Sequence, residues 1–267
     1  MPNSPRILLV EDLALHRRLL PVRLGSLGKE VVSVENAEEA ENLLARRKVL
    51  PSLILMDVVM PGKDGFTLAS ELKAQPRTKD IPILMLTALK SNPLERTLEV
   101  GADDYLPKNV DDAVLRTRVR LHLNLQKLRQ GQEGVTFSEW GESVLIATRS
   151  PLIRTQIPGQ LAQMGHLPRA VDAMELVEDA LRPEDRLLVL DTNLDHEGFS
   201  DFLTRLRMNP DTARLPILLL CDKAELVLLP SMETMVDDVL WKPLNARVNR
   251  LRFQYLIELG RRSLHEG

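Results

Sequence analysis

The segment LILMDVVMPGKDG, residues 53–65, decides the fold. Four consecutive apolar residues end on Asp57, and a Pro-Gly turn and a second glycine follow. An apolar run without polar alternation, cut off by turn residues, is the pattern of a strand buried on both faces. The pattern recurs on either side, in ILLV (7–10), VVSV (31–34), ILML (83–86) and a short DYL (104–106). Between the runs lie stretches with helical spacing, such as Ala37 to Arg47 and Phe66 to Ala74. Asn36 with Glu39 three residues on predicts a capping box, and Asn92 before Pro93 places a proline in a first helical turn. Strands separated by helices imply a parallel sheet covered on both faces. Residues 1–130 therefore read as five βα units, a doubly wound α/β domain.

The chain then repeats itself. VLIA (144–147) matches ILLV, Ser150 and Pro151 form an N-cap and first-turn pair, and LLVL (187–190) precedes Asp191 as LILM precedes Asp57. PRTKDIPILMLTA (76–88) lines up with PDTARLPILLLCD (210–222), and YLPKN (105–109) with VLWKP (239–243). Asp191 follows Asp57 by 134 positions, and Lys242 follows Lys108 by the same 134. The expectation is two tandem flavodoxin-like (βα)5 domains, 1–130 and 143–267, joined by a linker over 131–142 in which Gly131, Gly134 and Gly141 favour a joint.

Composition narrows the function. Of 267 residues, 44% are hydrophobic and 27% charged, enough apolar material for two packed cores and against a disordered chain. With 35 basic and 38 acidic side chains and 3% aromatics, the chain has neither the charge nor the stacking platforms of a nucleic-acid binder. The lone cysteine, Cys221, excludes an intramolecular disulfide framework and a Cys-rich zinc site. No apolar run reaches the length of a membrane span, and ILLV is followed at once by Glu11 and Asp12, unlike a signal peptide. The reading is a cytoplasmic protein with no membrane partner. His16, His122, His166, His196 and His265 show no ligand spacing and read as structural or solvent-facing.

In an open parallel sheet the binding crevice lies beyond the carboxyl ends of the strands, at the switch point. Glu11 and Asp12 follow the first strand directly and Asp57 follows the third. In a 2-1-3-4-5 strand order these strands are neighbours, so three carboxylates converge. Their repulsion would raise at least one pKa, and a divalent cation relieves it; oxygen-only ligands suit Mg²⁺. Thr87 brings a hydroxyl from the end of the fourth strand, and Lys108 an ammonium from the end of the fifth. A carboxylate nucleophile, a metal, a hydroxyl and an ammonium about one point are the parts needed to take up a phosphoryl group.

These residues, with Asp57 in MDVVMPGKDG, Thr87 in LTA and Lys108 in GADDYLPK, resemble the receiver domain of bacterial response regulators, the CheY-like family. The resemblance spans residues 5–128. It implies that Asp57 accepts phosphate from a histidine kinase or a histidine phosphotransfer protein. It further implies that Mg²⁺ binds Glu11 or Asp12, Asp57 and the backbone carbonyl of Val59, and that Thr87 and Tyr105 form a switch pair. One departure stands out: the family usually has proline after the lysine, often with a cis bond, and here Asn109 follows Lys108.

In the second copy Thr148 and Arg149 stand in place of Glu11 and Asp12, Cys221 in place of Thr87, and Val239 in place of Tyr105. Asp191 and Lys242 remain. With the metal-ligating carboxylates gone, no Mg²⁺ and little phosphoryl transfer are expected there, and Arg149 or Lys242 is expected to pair with Asp191. An intact receiver followed by a degenerate one resembles the input half of PleD-type two-receiver diguanylate cyclases, in which the second receiver is a dimerisation adaptor. No GGDEF or GGEEF stretch occurs, so the chain reads as a signalling module and not an enzyme. The alternatives are a phosphate relay or sink, or a receiver fragment of a diguanylate cyclase whose catalytic domain is absent here. Val59 and Leu89, both apolar and two beyond Asp57 and Thr87, predict slow loss of the phosphoryl group. Leu121, Leu125, Leu128 and the arginines of the segment 110–130 predict a homodimer on phosphorylation, in which those arginines meet acids such as Asp103 and Asp104.

Overall fold

The computed structural model describes residues 6–88, 94–130, 141–194, 198–222, 225, 229–244 and 246–263. The chain divides into two compact units, Met1–Gln126 and Lys127–Gly267.

In the first body, strands β1 (Arg6–Val10), β2 (Glu30–Val34), β3 (Leu53–Asp57), β4 (Ile83–Thr87) and β5 (Asp104–Pro107) alternate with helices α1 (Ala14–Arg23), α2 (Ala37–Arg46), α3 (Gly65–Ala74), α4 (Leu94–Glu99) and α5 (Asp112–Gln130), the last of which runs on past the boundary at Gln126. All pairings are parallel, and the strand order is β2-β1-β3-β4-β5. The central strands β3 and β4 are buried at every position, which is why their sequences carry no polar alternation. Side chains such as Ile54, Met56 and Leu84 are fully buried, each contributing about 1.5–3 kcal/mol of transfer free energy. Helix α2 lays Ala37, Ala40 and Leu44 on the sheet, a spacing of one helical face. Its start is capped as predicted: Glu39 N donates to Asn36 Oδ1 at 2.9 Å, while Glu39 Oε2 accepts from Glu35 N at 3.0 Å.

The register levels the carboxyl ends of the strands. Val10 lies opposite Met56, Asp57 opposite Leu86, and Thr87 opposite Pro107. Glu11, Asp57, Thr87 and Lys108 are thereby delivered to one edge. Gly65 keeps that edge compact. Its N donates to Val58 O at 3.0 Å, and a Cβ there would lie 2.0 Å from the carbonyl oxygen of Asp57, so only glycine allows α3 to start this close to the site.

The second body repeats the plan with β6 (Ser143–Ala147), α6 (Pro151–Gln163), β7 (Leu167–Val171), α7 (Glu175–Ala180), β8 (Asp185–Asp191), α8 (Phe199–Met208), β9 (Ile217–Cys221), α9 (Leu229–Met232), β10 (Asp238–Trp241) and α10 (Ala246–Ser263). Its strand order, β7-β6-β8-β9-β10, is the first order renumbered, and Asp191 lies opposite Leu220 just as Asp57 lies opposite Leu86. The expected pair of flavodoxin-like α/β sheets is therefore borne out to the level of register. Strand β7, LPRAV, has no clean apolar run because it is an edge strand, where Pro168 is tolerated and Leu167 is exposed. The Ser150 cap is present, its Oγ accepting from Ile153 N at 3.4 Å. The Asn92–Pro93 helix start and most of the expected linker, 131–140, lie outside the described residues.

Candidate functional site

At the carboxyl edge of the first sheet, Glu11, Asp12 and Asp57 each present an oxygen within 4.8 Å of the others. Glu11 and Asp57 are almost fully buried and Asp12 is half-buried. Lys108 reaches in from the end of β5, donating from Nζ to Asp57 Oδ2 at 2.6 Å and to Glu11 Oε1 at 2.9 Å. The other Asp57 oxygen, Oδ1, accepts from Val59 N at 3.1 Å. Thr87 is buried at the end of β4, and its carbonyl accepts from Lys108 N at 2.8 Å, which ties the lysine backbone to that strand end. Tyr105 is half-buried against the apolar cluster on the same side of the sheet.

Burial pushes the Asp57 carboxyl up to about 6; the hydrogen bond from Lys108 pulls it down, and the negative charge of Glu11 pushes it up again. Lys108 is the mirror case. Burial alone would lower its pKa, but the hydrogen bonds to Asp57 and Glu11 outweigh that and raise it. Two carboxylates thus share one ammonium, and Glu11 Oε2 is buried with no hydrogen-bond partner. An oxygen-only donor set with a spare buried lone pair and a surplus negative charge fits a hard divalent cation such as Mg²⁺.

The structure adds two residues that the sequence reading had not placed here. His16, expected to have no site role, sits with Nδ1 at 3.2 Å from Glu11 Oε1 and 3.5 Å from Lys108 Nζ. Arg17 donates to the backbone carbonyl of Glu11 at 2.8 Å and to Glu35 Oε2 at 3.1 Å, and also bonds the Asp12 carbonyl, so it clamps the acidic pair from behind. Both lie on α1, whose first turn follows the acidic pair directly; an i+5 and i+6 spacing from Glu11 was the available signal.

Lys108 attains this position without a cis bond after it: the cis peptide among the described residues is Lys242–Pro243. Val59 is 56% exposed, while Leu89 lies outside the described residues. The acids expected to meet a partner's arginines are engaged within the first body. Asp103 pairs with Lys73 at 2.7 Å and accepts from Ile83 N at 2.9 Å, and buried Asp104 faces His122 at 3.2 Å and Arg118 at 4.0 Å.

The equivalent edge of the second body has different chemistry. Asp191 is fully buried and accepts from Lys242 Nζ at 2.6 Å, Thr148 Oγ1 at 2.6 Å and Asn193 N at 3.1 Å. Of the two cations expected beside it, Lys242 is the partner, and Arg149 is exposed. Thr148 puts a neutral hydroxyl, which donates to Asp191, where Glu11 stands in the first body. Cys221 is buried, and burial followed by the charge of Glu225 pushes its thiol up to about 12.

The first body is therefore a parallel α/β domain with a lysine-bridged acidic cluster at its switch point. Residues 7–120 match the response regulator receiver domain family. This half of the chain carries a response regulator receiver domain, the phosphoryl-accepting domain of two-component signalling. The chain is 30% identical to the response regulator PleD of Caulobacter vibrioides over 97% of this chain and 60% of PleD. Over 44% of the chain it is 45% identical to the probable transcriptional regulator ycf27 of Pyropia yezoensis, covering 47% of that protein. Among solved structures, the receiver domain of a signal transduction histidine kinase from Syntrophus aciditrophicus is 36% identical, with a TM-score of 0.43, over 51% of this chain and 99% of that one. The chain thus spans 60% of PleD and about half of the ycf27 regulator.

Proposed function

We propose that Asp57 takes a phosphoryl group from a phosphohistidine on a histidine kinase or histidine phosphotransfer protein, and that the first body thereby controls an output. The observation that carries this reading is the bridge of Lys108 between Asp57 and Glu11, two buried carboxylates at the sheet's switch point. An Asp57 oxygen attacks phosphorus, the P–N bond breaks, and the imidazole leaves with the bonding pair. Lys108 is placed to follow the charge from the carboxylate to the incoming phosphoryl oxygens. Glu11, Asp12, Asp57 and the carbonyl of Val59 would hold Mg²⁺, which when bound neutralises charge on the transferring group. His16 and Arg17 position Glu11 and Asp12. Thr87 and Tyr105 are the switch pair: the hydroxyl turns toward the phosphoryl group and the ring follows, a population shift that new charge at Asp57 drives. The apolar Val59 favours a phosphoryl lifetime of hours.

The remaining assignments extend this reading. Residues 1–130 form the phosphoacceptor, 131–142 the linker and 143–267 an adaptor whose Thr148, Arg149, Asp191, Cys221 and Lys242 replace the working site. The chain itself is a regulatory and not an enzymatic module, acting in the cytoplasm as a homodimer on phosphorylation. None of the described helices is long and apolar enough to cross a membrane. The test is incubation with a phosphorylated histidine phosphotransfer protein: one phosphoryl group per chain, acquired with Mg²⁺ and lost with EDTA, is expected. Acquisition that is unaffected by EDTA refutes the reading. Sedimentation with and without beryllofluoride tests dimerisation, and an unchanged monomer counts against it.

A further inference from the structure

We infer that the second body holds an oxyanion site at the edge where the first would receive phosphate, and that the chain's own Glu225 fills it. The Glu225 carboxylate accepts from Asp222 N at 2.8 Å and from Thr192 Oγ1 at 2.5 Å. The Asn193 amide, turned with its nitrogen toward Glu225, donates to Oε1 at 3.1 Å, and its oxygen then accepts from Lys242 Nζ at 2.9 Å. Thr192 is buried, Asp222 and Glu225 are half-buried, and Asn193 is exposed. A backbone N–H, a hydroxyl and an amide converging on one carboxylate, with an ammonium one side chain away, is how a protein binds an oxyanion.

The internal repeat supplies the second, independent observation. By the 134-residue offset, Thr192 and Asn193 stand where the first body has Val58 and Val59, neither of which has a side-chain donor. Two new side-chain donors beside Asp191 thus meet a carboxylate that lies on the loop after β9. Drift that merely erased a phosphorylation site would not build a matched acceptor and donors. Glu225 N also donates to Asp222 O at 2.9 Å, a turn that points the side chain back at the site. The carboxylate is a tethered substitute for a phosphate, and it fixes the β8 and β9 ends in one arrangement whatever the state of Asp57. The inference rests on the second body being a receiver copy and not on phosphorylation of the first.

The experiment is hydrogen exchange by mass spectrometry on the full chain, read in peptides spanning Asp191–Leu194 and Leu219–Asp222. In E225A these peptides should exchange about tenfold faster or more, since a hydrogen bond to a charged group is lost. Sodium acetate or sodium phosphate in excess should restore protection in E225A and leave the natural chain unchanged, while sodium chloride at equal ionic strength should do neither. If E225A unfolds the second body, E225S, which likewise vacates the site but leaves a small polar side chain, is read the same way. Protection equal to that of the natural chain, or protection lost and recovered by neither anion in both variants, overturns the assignment. Labelling of Asp57 is scored in a separate peptide, so failure of the phosphoacceptor reading is distinguishable.

Discussion

Asp57→Asn should stabilise the metal-free first body at neutral pH. Asp57 is buried against Glu11, and its pKa in the folded chain lies near 6, against an ordinary value of 3.8. A group whose folded pKa is raised favours the fold below its unfolded pKa, and that contribution is lost as pH rises through the folded one. Between pH 4 and pH 6 the folded carboxyl keeps a proton that the unfolded chain has released. Above pH 6 the folded state bears the full cost, about 3 kcal/mol at about 1.4 kcal/mol per pH unit. Asparagine keeps the size and the acceptor for Lys108 and removes the charge, so in EDTA at pH 7.5 the variant should exceed the natural chain by about 2–3 kcal/mol. The gap should close towards pH 4. Urea titrations read through amide exchange of peptides from β1 and β3 isolate the first body. Equal or lower stability of the variant at pH 7.5, or a gap that widens on acidification, would refute the reasoning. Adding Mg²⁺ should stabilise the natural chain and not the variant.

Lys108→Met removes the cation shared by two buried carboxylates; the metal-free first body should lose about 3 kcal/mol, as for a broken buried ion pair, with phosphoryl uptake falling at least tenfold, checked by urea titration and radiolabel uptake. Gly65→Ala pushes a methyl to 2.0 Å from the Asp57 carbonyl oxygen and should cost about 1–3 kcal/mol, with a thermal midpoint lowered in circular dichroism; an unchanged midpoint contradicts the close approach. Cys221, buried and with its thiol pushed up to about 12, should resist iodoacetamide at pH 8 in the folded chain and react once urea unfolds it, as intact mass would show.

Strand identity was legible because both sheets are parallel and doubly covered: LILM and ILML, for example, need no polar face, and their ends deliver Asp57 and Thr87 to the same edge. The repeat was legible because the strand-end positions, Asp57 and Asp191 or Lys108 and Lys242, keep one offset. Strand β7 was not, since an edge strand can carry Pro168 and expose Leu167 and Ala170. His16 and Arg17 escaped notice because a helix turn, not a strand end, brings them to Glu11. Glu225 escaped because its partners, Thr192 and Asp222, come from two different strand ends that only the sheet makes neighbours. Asp103 and Asp104, expected to meet a partner's arginines, are engaged by Lys73 and His122, contacts that local sequence does not encode.

The central claim is tested most directly by locating the acyl phosphate. The chain is treated with acetyl phosphate and Mg²⁺, reduced with borohydride and digested, and the modified aspartate is read by mass spectrometry. The account predicts modification at Asp57 and none at Asp191, abolished by EDTA and by Asp57→Asn. Modification that persists in that variant, or that falls on Asp191, would contradict it.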